Sequence, residues 1–231
     1  KLIMKFFIFF GLTVFFFTLD EFKVSAAGDP AKGKALYAVC QACHGADGMG
    51  NKELNSPKIA GQEPWYLERQ LKNFKAGIRG ADPKDRFGMQ MRAMALTLSN
   101  DQSIRNMAAY VSSMPEGSNV VPTIKGNVEA GKTLYVLCQS CHGSAGEGNK
   151  TLNSPRLAGL QDWYVARQLK NFKAGIRGTK SGDMFGMQMR PMAISLADDE
   201  AINNVAAYIA TLKLSLIHIS EPTRPERIGD G

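Results

Sequence analysis

The feature that most constrains this chain is a gapless internal repeat. An offset of 98 residues carries Cys40 to Cys138, Trp65 to Trp163, Arg79 to Arg177, Met91 to Met189 and Tyr110 to Tyr208, and residues 31–114 align with 129–212 with 49 of 84 pairs identical. A period this long means two whole domains and not a solenoid of small units. Each unit must close its own core from about 85 residues, near the size where an added staple helps.

Both units carry the same short motif, Cys40-Gln41-Ala42-Cys43-His44 and Cys138-Gln139-Ser140-Cys141-His142. C-x-x-C-H is the attachment signature of c-type haem. Two thiols three positions apart on a helical turn each reach one edge of a porphyrin, and the next residue places an imidazole under the iron. All four cysteines and two of the three histidines of the chain lie in these motifs; the third, His218, falls near the C-terminus and is given no role. The alternatives are a structural zinc site, which needs four ligands where each copy offers three, and a redox dithiol. The net charge of +7 is modest. Four haem propionates would offset most of it, and no basic arm or nucleic-acid motif accompanies it.

The chain begins at Lys1, and Met4 is the candidate start. Lys5, the apolar run Phe6 to Leu19 and Ser25-Ala26-Ala27 read as a secretory signal peptide over residues 1–27, cleaved after Ala27; an uncleaved anchor is the alternative, because Asp20 and Glu21 are unusual there. Residues 28–114 form the first domain, 115–128 a linker with Pro, Gly and Asn, and 129–213 the second domain. Residues 214–231 have no counterpart in the first unit and read as a non-native or disordered tail. Within each unit the pattern predicts a helix from Ala31 to Cys40 running into the motif and a loop over Gly45 to Gly61. An amphipathic helix follows from Pro64 to Ala76, stopped by Gly77, and then a last helix capped by Ser99 or Asp101. No alternating strand pattern competes. A haem held by His alone keeps an open face, whereas a Met at the sixth position closes it and raises the potential. The repeat offers three matched pairs, Met89/Met187, Met91/Met189 and Met94/Met192.

Taken together, the two C-x-x-C-H motifs, Pro-Lys-Ile-Ala-Gly at 57–61 with Pro-Arg-Leu-Ala-Gly at 155–159, the Arg-Gln-Leu-Lys-Asn-Phe helices and the Met-Arg-x-Met-Ala segments resemble the dihaem cytochrome c4 family. The resemblance covers nearly all of residues 28–212. It implies an all-α fold of two tandem class I cytochrome c domains, each wrapped round one covalently bound haem c. Cys40, Cys43, Cys138 and Cys141 would bind the haems, with His44, Met91, His142 and Met189 as iron ligands and Met94 and Met192 as fallback. Pro57 and Pro155 resemble the proline whose carbonyl takes a hydrogen bond from the ligating imidazole. Arg79, Arg92, Arg177 and Arg190 are candidates to reach propionates, or are solvated surface charges. The function implied is a periplasmic, monomeric electron carrier with peripheral membrane association, not an enzyme, between a quinol-oxidising complex and a terminal oxidase. Two alternatives stand beside it. One is a dihaem subunit of an enzyme complex such as flavocytochrome c sulfide dehydrogenase. The other, a dihaem peroxidase, is disfavoured by the near-identity of the two ligand regions.

Overall fold

The computed structural model describes residues 27–117 and 121–213; the signal and tail readings at residues 1–26 and 214–231 fall outside them. The first lobe runs α1 (Pro30–Leu36), a 3₁₀ turn (Tyr37–Val39), α2 (Gln41–His44), α3 (Pro64–Lys75), α4 (Arg86–Leu96) and α5 (Asp101–Ser113). The second repeats it as α6 (Val128–His142), α7 (Asp162–Lys173), α8 (Met184–Ile194) and α9 (Asp199–Thr211). Among the described residues there is no strand, only an isolated bridge in each lobe, Asn51 to Ser56 and Asn149 to Ser154.

The lobes differ at the motif. In the second, one unbroken helix passes from Val128 through both cysteines to His142, whereas in the first the chain tightens at Tyr37–Val39 before α2. Both end at a glycine with positive φ, Gly45 at 80° and Gly143 at 81°, where a side chain would be strained.

The helix that leads into the motif in the first lobe, α1, and the one that carries it in the second, α6, each cross the last helix at contact distance. A Cβ on Gly33 would lie 2.0 Å from the Asn106 carbonyl oxygen, and one on Gly131 the same distance from that of Asn204. Beside each crossing a tyrosine pair closes the packing, Tyr37 on Tyr110 with centroids 5.4 Å apart and Tyr135 on Tyr208 at 5.2 Å. Tyr37, Leu98, Ile104, Met107 and Val111 centre one core; Tyr135, Leu196, Ile202, Val205 and Ile209 centre the other.

Two local readings change, and the basic residues of two helices find partners. The cap of α5 is neither Ser99 nor Asp101 but Asn100, whose side chain accepts from Ser103 N while the Ser103 hydroxyl receives the Asn100 N–H, a reciprocal capping box. A further helix, α4, fills the stretch between α3 and α5; Asp85 starts it by accepting from Gly88 N. The basic residues of α3 and α7 are spent within the chain. Lys72 pairs with Glu68 and Asp101, Lys170 pairs with Asp199, and Lys75 and Lys173 donate to the carbonyls of Leu98 and Leu196.

The lobes face each other through reciprocal contacts, the mark of a two-fold relation. Arg69 donates to Asn153 Oδ1 and O at 3.0 and 2.8 Å, and Arg167 donates to Asn55 Oδ1 and O at the same distances. Each guanidinium also lies over an aromatic ring of the opposite lobe, Arg69 over Phe185 at 4.4 Å and Arg167 over Phe87 at 4.6 Å. Asn55 and Asn153 are left-handed, both with φ 57°, a region asparagine tolerates better than other side chains. Lys58 N donates to Gln161 Oε1, and Arg156 N donates to the equivalent Glu63 carboxylate. The connecting strand is pinned to the second lobe: buried Asp162 accepts from the backbone N–H groups of Thr123 and Ile124 and from the Thr123 hydroxyl.

Candidate functional site

The motif histidines are buried, each 4% exposed. The loop after each motif folds back so that its proline meets the ring. Gly50 N donates to His44 O, Asn51 and Ser56 exchange backbone bonds, and Pro57 O then sits 2.7 Å from His44 Nδ1. His142 Nδ1 lies 2.7 Å from Pro155 O in the same way. A proline carbonyl only accepts, so Nδ1 carries the proton and Nε2 keeps its lone pair for a metal. Burial lowers the proton affinity of both rings and outweighs the opposing bond to the proline carbonyl, which keeps them neutral as a ligand must be.

Cys40 and Cys138 are partly buried, while Cys43 and Cys141 are exposed; all four are free of disulfides. Burial first, and the neighbouring motif cysteine second, push the Cys40 and Cys138 thiols up to about 11. Reactive redox cysteines have depressed values, the opposite direction. Among the described residues no three of His, Cys, Asp and Glu gather as a metal cluster. Each lobe offers one neutral imidazole, with the two motif thiols three positions apart in sequence and not gathered round it, a set that fits thioether-bound haem and not a four-ligand cage. Tyr37 OH donates to Gly45 O at 2.7 Å and Tyr135 OH to Gly143 O at 2.8 Å, fixing the end of each motif. Burial raises both phenols well above their usual value, so both keep the proton they donate.

The methionine pairs separate. Met89, Met94, Met187 and Met192 are exposed at 39–42%, whereas Met91 and Met189 are partly buried and Met189 packs against the second core. Their helices stand at one end of a series of contacts. In the first lobe α2 joins through the 3₁₀ turn to α1, which packs on α5, α5 on α3 and α3 on α4; in the second α6 packs on α9, α9 on α7 and α7 on α8. His44 and Met91 thus belong to opposite ends of the first series, as do His142 and Met189 in the second. Apolar side chains remain exposed at matched positions, Val39 and Leu137, Leu54 and Leu152, Leu96 and Ile194, the kind of surface a macrocycle covers.

Of the four candidate propionate arginines, only Arg92 is an exposed side chain. Arg79 and Arg177 are buried at 5% and 6% exposure, against the reading of solvated charges, and Arg190 is partly buried. Each of the buried two stacks on a phenylalanine of its own lobe at 4.2 Å, Phe74 and Phe172.

The cytochrome c family model matches residues 30–115 and again residues 128–213. Cytochrome c4 of Azotobacter vinelandii is 39% identical over 199 residues, covering 81% of this chain and 90% of that protein. The chain belongs to the dihaem cytochrome c4 family. The crystal structure of reduced cytochrome c4 from Pseudomonas stutzeri superposes with a TM-score of 0.67 at 35% identity, over 81% of this chain and all of that one. A thiosulfate dehydrogenase electron acceptor of Stutzerimonas stutzeri is 30% identical over 211 residues, 82% of this chain and 90% of that protein. As a member of the cytochrome c4 family the chain carries two haem c groups and transfers electrons; it is not an enzyme.

Reasoning from sequence missed the left-handed asparagines, the reciprocal arginines and the glutamines near Arg79 and Arg177. The asparagine and arginine partners lie 84 and 112 residues apart and Gln168 lies 89 from Arg79, so no local pattern announces them, whereas Gln70–Arg79 and Gln168–Arg177 are only nine apart.

Proposed function

We propose that the mature protein is a periplasmic carrier that takes single electrons from a quinol-oxidising complex and delivers them to a terminal oxidase. Cys40, Cys43, Cys138 and Cys141 would hold the two haems by thioethers, and His44 with Met91 and His142 with Met189 would ligate the irons. When bound, each haem supplies a one-electron Fe(II)/Fe(III) couple. The residues do the rest. The Pro57 and Pro155 carbonyls fix the imidazole rings and raise their basicity toward iron. The tyrosine hydroxyls brace the glycine that ends each motif. With Met91 and Met189 as ligands, the irons would keep no vacancy for a substrate.

The observation that carries this reading is the equivalence of the two lobes, with the same histidine–proline geometry in each and reciprocal contacts between them. Peroxidase chemistry needs one lobe to differ. Among the described residues no helix is long and apolar enough to cross a membrane.

The relatives that serve as thiosulfate dehydrogenase electron acceptors favour a second reading, a dihaem acceptor attached to a dehydrogenase. Quinol-energised membranes of the source bacterium separate the two. The carrier reading expects them to reduce the purified protein and then to reoxidise it with oxygen uptake. Reduction by a co-purifying dehydrogenase, with no exchange at the membrane, would move the protein to the second reading.

A further inference from the structure

The peptide group between Pro155 and Arg156 is engaged at both ends. Its carbonyl accepts from His142 Nδ1 at 2.7 Å, and its N–H donates to the Glu63 carboxylate of the opposite lobe, shared between Oε1 and Oε2 at 3.2 Å each. The peptide between Pro57 and Lys58 does the same in the first lobe, where Pro57 O takes His44 Nδ1 at 2.7 Å and Lys58 N donates to Gln161 Oε1 at 2.8 Å. A peptide is a conjugated unit, so an acceptor on its N–H shifts electron density toward its oxygen. Each motif histidine is therefore joined, through one peptide plane, to a side chain of the other lobe.

Glu63 and Gln161 are equivalent residues of the repeat, at the N-caps of α3 and α7, yet one is a carboxylate and the other an amide. Gln161 is fixed in orientation because its Nε2 donates to Met49 O at 3.0 Å, which leaves Oε1 for Lys58 N. The second lobe leaves room for the carboxylate at Gly148, where a Cβ would come within 2.9 Å of Glu63 Oε1. Nor is Glu63 taken up by a nearby cation. The Arg156 guanidinium pairs with Glu116 at 2.5 Å and donates to the Gly61 carbonyl, and among the described residues no Lys or Arg nitrogen lies within 4.0 Å of the Glu63 oxygens. Arg156 and Glu116 are the charged groups that act on it from further off, with opposite signs.

We propose that Glu63 and Gln161 are positioning residues that act across the lobe boundary on the histidine of the opposite lobe, the carboxylate making His142 a more electron-rich ligand than His44 and so separating the reduction potentials of two otherwise equivalent sites. This rests on the dihaem reading above. An ionised acceptor on the Arg156 N–H makes the Pro155 carbonyl a stronger acceptor in turn. A stronger acceptor draws on the His142 Nδ1 proton and leaves more density on Nε2, which favours Fe(III) over Fe(II). The Gln161 amide does the same to His44 only weakly, because it carries no charge. Glu63, a residue of the first lobe, thus lowers the potential of the second.

The test uses the mature holoprotein, with haem content measured first and both potentials then followed by NMR-monitored redox titration, haem signals being assigned lobe by lobe. Burial raises the proton affinity of Glu63 against the opposing bond from Arg156 N, so the titration is run at about pH 8, well above the ordinary carboxylate range. Glu63→Gln is expected to raise the potential of the second lobe and leave that of the first. The expected shift is roughly threefold in the Fe(III)/Fe(II) equilibrium, the scale of a unit charge acting over about 10 Å at an effective dielectric of about 50, or about 28 mV for one electron. Gln161→Glu is expected to lower the potential of the first lobe by a similar factor and leave that of the second. A shift in the substituted lobe, equal shifts in both, or a lowered melting temperature with both potentials unmoved overturns the proposal. Should neither variant mature, the reduced, diamagnetic parent decides: the His142 Nδ1 proton is expected to resonate downfield of that of His44, and coincident resonances are contrary. A parental protein with fewer than two haems refutes the dihaem reading instead, which keeps the two failures apart.

Discussion

The reciprocal arginine–asparagine contacts make a quantitative prediction about how the two lobes are held together. Arg167→Ala removes two hydrogen bonds from a charged donor, at 3.0 and 2.8 Å, and the stacking of that donor over Phe87. Bonds to a charged group are worth about 1.5–3 kcal/mol each, and a partly exposed cation over a ring about 0.5–1 kcal/mol. Arg167 is only partly buried, so solvent screening brings the expected loss to about 2–4 kcal/mol. Asn55→Gly removes one of the two bonds, keeps the backbone carbonyl acceptor and suits the left-handed φ of 57°. Its expected cost is about 1 kcal/mol or less. In the double variant the Oδ1 bond is lost only once, so a coupling of about 1 kcal/mol should appear in urea unfolding of the holoprotein. Arg69→Ala with Arg167→Ala should go further and split unfolding into two transitions, one for each lobe. A cost for Arg167→Ala within 0.5 kcal/mol of zero, or strict additivity with Asn55→Gly, would refute the docking contact as described.

Other variants probe each level of the account. Met91→Ala should abolish the sulfur-to-iron charge-transfer band of one haem while Met94→Ala leaves it; the reverse moves the ligand to Met94. Asp162→Ala should cost about 2–4 kcal/mol in urea unfolding, since a buried carboxylate accepting from Thr123 and Ile124 is lost and their donors are stranded; a neutral result means the connecting strand is not held there. Lys58 is buried, and desolvation lowers its proton affinity despite Glu116 nearby. The unfolded chain therefore binds more protons than the folded one just below the ordinary lysine value, and stability should rise with pH through that window. Stability–pH curves of the parent and Lys58→Met should diverge there, and parallel curves would contradict the burial.

The parts of the fold legible in the sequence are those whose partners are near. The helix Pro64–Lys75 has its apolar stripe and its stop at Gly77, which takes φ 71° as a C-terminal glycine should. The His44–Pro57 contact spans 13 residues and was suggested by resemblance alone; geometry now supplies its direction. Helix Arg86–Leu96 was hidden because Met89, Met94 and Leu96 stay exposed, which spoils the periodicity on which the reading depends. Asp85 three residues before Gly88 was the available signal. The arginines at 79 and 177 were legible as a repeated pair but not as a buried one. Each is covered by the phenylalanine five residues before it and bonds the glutamine nine before it, and Arg79 also reaches Gln168 of the opposite lobe, which no window of local sequence contains.

The central claim, two equivalent haem sites each closed by histidine and methionine, is tested most directly by one measurement on protein matured in a host competent for cytochrome c assembly. Haem content per chain is taken by pyridine haemochrome, and the sulfur-to-iron charge-transfer band of the oxidised form is recorded on the same sample. The account predicts two covalently attached haems per chain and a band intensity corresponding to both. One haem per chain, or two haems with band intensity for only one, would contradict it.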